Sequence, residues 1–180
     1  MPNINDARGF RAIKDGTIEY HTKQYAKDPA VDIFMGDLVT LKKIGGKKVV
    51  SLFVAGDGKA LGVASHTVLA TDKVNDKINV YDDPSYSFRV QIDALADGQE
   101  FLNADIAAPV AKTGAALLLK HSNMSLDSAT LAATAALPLK VLGLAKSQDQ
   151  DKNEHGAHAD VVVKINNHIL GSGDGSTGIA

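Results

Sequence analysis

Residues 87–93 read Ser87-Phe88-Arg89-Val90-Gln91-Ile92-Asp93, and this stretch decides the fold class. Phe88, Val90 and Ile92 alternate with polar or charged neighbours. A strand turns successive side chains to opposite faces. The period of two therefore places the apolar set on a core and the others in water or on a partner. Asp82-Asp83-Pro84 stands just upstream. It reads as a turn, and proline there opens a strand without removing a ladder hydrogen bond.

The same texture repeats toward the N-terminus. Val74, Ile78 and Val80 belong to one expected strand and residues 61–69 to another. Gly56-Asp57-Gly58 reads as a hairpin turn between that strand and residues 49–54, where Val50, Leu52 and Val54 share a face. Gly45-Gly46 makes another hairpin turn, because glycine reaches positive φ without strain. Before it come residues 38–41 and, across Gly36-Asp37, residues 33–35. Turn signals roughly every 8–12 residues indicate a β-barrel or β-sandwich, not alternating βαβ units.

Toward the C-terminus the pattern loosens. Residues 99–107 suit a short helix or an irregular connection, and Thr113-Gly114 breaks the chain. Residues 125–136 are rich in alanine, which favours helix, but Ser128, Thr130 and Thr134 oppose it and Pro138 stops it. A long central loop with at most short helices is expected. Residues 139–144 are apolar enough for burial on both faces. From residue 160 to 170, Val161, Val163 and Ile165 alternate with Val162, Lys164 and Asn166. The expected organisation is a mainly β chain: an extended N-terminal arm over residues 1–30, one body over 31–170, and a flexible glycine- and serine-rich tail over 171–180.

Composition narrows the function. Of 180 residues, 44% are apolar and 22% charged, as in a globular domain. The net charge of −2 gives no general attraction to nucleic acid or acidic membranes. Aromatic content is 5% without tryptophan, so stacking platforms for single-stranded nucleic acid are not expected. Cysteine is absent, which excludes disulfides, thiolate metal sites and cysteine nucleophiles. The first sixteen residues carry Asp6, Arg8, Arg11, Lys14 and Asp15 and do not read as a signal peptide. Residues 115–119, the longest apolar run, are too few to span a bilayer.

Chemical motifs are weak throughout. Gly171-Ser172-Gly173-Asp174-Gly175 lacks the Lys-Ser or Lys-Thr and the helix that a phosphate loop needs. Gly56-Asp57-Gly58-Lys59 sits between apolar strands and reads as a turn. Asp149, Asp151 and Asn153 imitate the first ligands of a calcium loop, but Glu154 stands where glycine is required and Asp160 where a glutamate belongs. His155 and His158 lie in the same loop; a zinc site there needs further ligands from nearby Asp and Glu residues. The default reading is a solvated loop. Ser65 and His66 are neighbours and on a strand would point to opposite faces. Asp82 and Asp83 sit in a turn with no apolar pocket expected to shift them. Lys42, Lys43, Lys47 and Lys48 cluster around Gly45-Gly46, as a solvated hairpin tip or a contact to an acidic partner. No catalytic, cofactor-binding or metal-ligating residue is assigned, and no enzyme is expected.

Several strings in order do carry a resemblance. They are Gly36-Asp37-Leu38-Val39, Gly62-Val63-Ala64, Val80-Tyr81-Asp82-Asp83-Pro84 and Phe88-Arg89-Val90-Gln91, then residues 137–144 and 161–168. Together they resemble tailed-bacteriophage virion structural proteins of the head-decoration, or cement, type, over about residues 33–168. The resemblance implies a β-rich protein without catalytic residues or cofactors. It would be made in the host cytoplasm and bind the outside of the capsid shell. Its partners would be the major capsid protein and further copies of itself, as a trimer or a dimer. A tail or head–tail connector protein, or a small β-sandwich binding module, is the alternative.

Overall fold

The computed structural model describes residues 3, 5–13, 19–72, 76–107, 120–146, 153–171 and 175–176. Among these residues the chain is all β, with no helix. One sheet has six strands in the order β1 (Arg11–Ala12), β7 (Ser87–Gln91), β13 (Asp160–Ile165), β11 (Leu139–Leu144), β9 (Asn103–Ile106) and β10 (Leu126–Ala132). A second has five, ordered β2 (Lys23–Ala26), β6 (Lys77–Tyr81), β5 (Gly62–Ala64), β3 (Leu38–Ile44) and β4 (Lys47–Leu52). β8 (Ala94–Leu95) and β12 (Gly156–Ala157) form a separate ribbon. Every ladder is antiparallel.

The alternation read in residues 87–93 sets the centre of the six-stranded sheet. Phe88 and Val90 are fully buried, and Arg89 between them faces outward. β13 lies alongside with Val161 opposite Val90 and Val163 opposite Phe88. These residues pack with Leu139, Val141, Ile106 and Leu126 of the same sheet and with Leu38 and Val63 of the other. Each such burial contributes about 1.5–3 kcal/mol before entropy is counted. β11 buries one face, through Leu139 and Val141, not both. Its register with β13 slips between Val141 and Gly143, where glycine at φ +144° absorbs the irregularity.

The five-stranded sheet buries both faces. Leu38 and Val63 point to the shared core, while Val39, Ala64, Val50, Ile78 and Val80 form a second cluster with Ile33, Leu61 and Val68. A bridge from Lys27 to Val50 brings the two edges of this sheet together, with Asp28 N–H donating to the Val50 carbonyl at 2.8 Å. That contact is a single bridge, and neither sheet closes into a barrel.

Other local expectations are corrected. Residues 103–106, within the stretch expected as a short helix or irregular connection, and residues 126–132, expected as a helix or loop, form strands. The ladder with β9 jumps from Asp127–Asp105 to Ala132–Asn103, and Thr130 fills the gap. Its hydroxyl donates to the Asp127 carbonyl at 2.6 Å and accepts the Asp105 amide at 2.9 Å. Pairing and side-chain hydrogen bonds outweigh the helix propensity of alanine. The strand expected over 61–69 spans only Gly62–Ala64, because the chain bends at Ser65 and His66. The turn at Gly56 is not a hairpin: β4 and β5 flank β3 on opposite sides, so the chain crosses over β3.

Residues 1–30, expected as an extended arm, contribute β1 and β2, which pair with β7 and β6. Phe10 is buried, and its amide donates to the Gly36 carbonyl at 2.8 Å. Tyr20 packs on Tyr86 with ring centroids 4.3 Å apart. In the tail, Gly175 and Ser176 donate backbone N–H groups to Asn167 and Asn166 at 2.6 and 2.9 Å. Most of the other tail positions, with Val74 and residues 147–152, lie outside the described residues.

Candidate interaction surface

β3 and β4 form a hairpin whose far end is rich in lysine. Lys43 lies directly opposite Lys48, and Ile44 opposite Lys47. All four are exposed; Ile44, an apolar side chain, retains 41% of its accessible surface. Lys42 reaches Asp57 at 3.4 Å, but Lys43, Lys47 and Lys48 have no carboxylate partner among the described residues. Like charges directly opposite on a sheet cost up to about 1 kcal/mol. The tip thus holds an unfavourable pair that an acidic surface laid against it would relieve.

Several other charged groups serve the fold. Arg89 Nε donates to Asp160 at 2.9 Å, and Arg11, its cross-strand neighbour, approaches the same carboxylate at 3.4 Å. Tyr25 donates its hydroxyl to Asp82, fastening β2 to the end of β6. Burial, then this bond, pushes the Tyr25 phenol far above its ordinary value. Asp83 accepts the Ser85 hydroxyl at 2.6 Å and its amide at 2.7 Å, which hold its carboxyl below the usual range. Asp57 caps the turn by accepting the Val54 amide at 3.0 Å.

The motif residues are mostly dispersed. Ser65 and His66 do meet, Oγ to Nδ1 at 3.3 Å, because they occupy a bend and not a strand. Ser65 Oγ also lies 3.1 Å from the Asn79 carbonyl, which takes its proton. Asn153 is structural: it donates to the Ala145 and Asp160 carbonyls at 2.9 and 2.6 Å. Asp149 and Asp151 lie outside the described residues. His155 and His158 part company. His158 sits at φ +58° with its amide on the Asp93 carbonyl, while His155 Nε2 meets Glu100 Oε1 at 2.5 Å, near Asp97. Asp97 and Glu100 were not singled out in the sequence; two carboxylates flanking the Gly98 turn were the only cue.

A shallow groove of about 310 Å³ is lined by Pro84, Lys140, Leu142, Lys164, Asn166 and His168, among others. The described residues that line it include no carboxylate. No helix among the described residues is long and apolar enough to cross a membrane. No protein-family model matches the chain. No curated protein matches it.

Proposed function

We propose that this chain is a structural virion protein that binds the outer surface of a phage capsid and stabilises contacts between major capsid subunits. The observation that carries the reading is the hairpin tip, where Lys43, Lys47 and Lys48 stand without acidic partners among the described residues, beside exposed Ile44. Such a tip grips a complementary surface and has no chemistry to perform. The ordered strings that resemble head-decoration proteins support the same role. Side chains of both sheets share one core, which supports a sandwich-like body suited to bridging neighbours.

A cement protein needs only to bind the assembled shell better than its open or immature form. That differential affinity stabilises the assembled state by mass action. Copies joined as a trimer or dimer would add through effective concentration. Locating the chain in a reconstruction of the native particle tests the proposal. Density repeated over the shell, with heads losing resistance to heat and low salt when the chain is removed, is the expected result. Undiminished resistance would overturn it, and density at a single vertex would place the chain in the tail or connector.

A further inference from the structure

Ala96, Asp97, Gly98 and Gln99 form a tight turn directly after β8. Gln99 N–H donates to the Ala96 carbonyl at 3.2 Å, and Gly98 takes φ +81°. The Gln99 side chain closes the turn again by accepting the Ala96 amide at 2.8 Å. Glu100 follows, with Oε2 accepting the Gly98 amide at 3.1 Å, which leaves Oε1 for the facing loop. That loop carries His155 just before β12, held by the pairing of Gly156 with Leu95. Asn3 donates to the carbonyls of Glu154 and Ala157, both at 2.9 Å, and so ties the backbone on both sides of His155.

We propose that Asp97, Glu100 and His155 form a binding site for a borderline divalent cation of the zinc type. One ligand atom from each lies within 4.8 Å of the others. Donors on a common zinc ion, at bond lengths of about 2.0–2.2 Å, stand roughly 3–3.5 Å apart. Glu100 and His155, now at 2.5 Å, need separate by less than about 1 Å to admit the ion. Asp97 is exposed and has no other partner among the described residues, so its carboxylate can swing inward.

Charge and donor type both favour this occupant. Two carboxylates and one imidazole leave negative charge that His155 cannot balance alone even when protonated, and a divalent cation neutralises it. The imidazole selects a borderline metal over calcium or magnesium, which prefer all-oxygen shells. Three protein ligands leave a coordination position for water. To ligate through Nε2 the ring keeps its proton on Nδ1, and an imidazolium releases one proton to solvent. The bound ion joins the turn after β8 to the loop before β12, so it stabilises the fold by mass action.

Titration calorimetry of ZnCl₂ into the tag-free, EDTA-stripped chain near neutral pH tests the site. One ion per chain is expected, with the imidazole resonances of His155 shifting on addition. His155→Ala and Glu100→Gln should each weaken binding at least about tenfold, by analogy with the losses seen around metal sites. His158→Ala should leave it unchanged. The substituted loops are at the surface, and equal unfolding midpoints in EDTA would show the variants folded. Absence of saturable binding, undiminished binding in His155→Ala, or calcium binding as tight as zinc would overturn the proposal.

Discussion

Gly62 in β5 lies directly against the backbone carbonyl oxygen of Tyr81 in β6: a Cβ on Gly62 would stand 2.1 Å from that oxygen. Backbone cannot yield as a flexible side chain would, and Val80 crowds the same point at 2.8 Å. Gly62→Ala is therefore expected to destabilise the protein by about 3 kcal/mol or more, through overpacking. Gly45→Ala, at φ +55° with nothing within 4 Å, should cost about 1 kcal/mol from the strained backbone alone. Urea unfolding of the two variants checks the order, and equal losses would refute the close-approach argument.

Lys48→Glu should separate stability from binding. It converts the like-charged pair with Lys43 into an opposite-charged one, expected to stabilise the chain by about 0.5 kcal/mol. The same change reverses charge where the shell is proposed to dock, so co-sedimentation with capsids should weaken. If both quantities move together, the tip is not the docking element.

Asp160 holds Arg89 and Arg11 with only 18% of its side-chain surface exposed. Asp160→Ala leaves both guanidinium groups without their carboxylate, and a loss of about 2 kcal/mol is expected, below the full buried-pair value because the arginines retain some solvent. Lys42→Met removes a single pair, with Asp57, and leaves no second cation stranded, so it should change stability by less than about 0.5 kcal/mol. Denaturant midpoints at constant slope decide between them.

His168 gives the fold a pH dependence of defined sign. It is 3% exposed, and burial pushes its imidazole below the ordinary 6.5, although Asp82 and Asp83 pull the other way. The unfolded chain therefore binds more protons than the folded one just below that value. The contribution is whole above about pH 6.5 and is lost as pH falls through the window beneath it, by at most about 1.4 kcal/mol per unit. His168→Gln should flatten the stability profile between pH 7 and 5. A profile with unchanged slope would assign the effect elsewhere.

Much of the sheet structure was legible in the chain because alternation is local. Phe88 and Val90, or Val161 and Val163, announce a buried face within a few residues. Gly45-Gly46 likewise declares its hairpin, and β3 and β4 pair around it in register. Where the outcome depended on a distant partner, local preference misled. Residues 126–132 became a strand because β9 offered a ladder and Thr130 bridged its gap. The turn at Gly56 was visible, but its crossover depended on which neighbour β5 would choose.

The sequence by itself determined the β class, the faces of the main strands and the lysine-rich tip, since each follows from side-chain period or turn chemistry over a few residues. Only the tertiary structure decided which strands are neighbours and which charges meet. Arg89 and Asp160 are 71 residues apart in the chain, and Glu100 and His155 are 55 apart. No local pattern encodes such meetings. They arise when burial of the shared core selects one sheet order, which then carries the polar groups at the strand ends into contact.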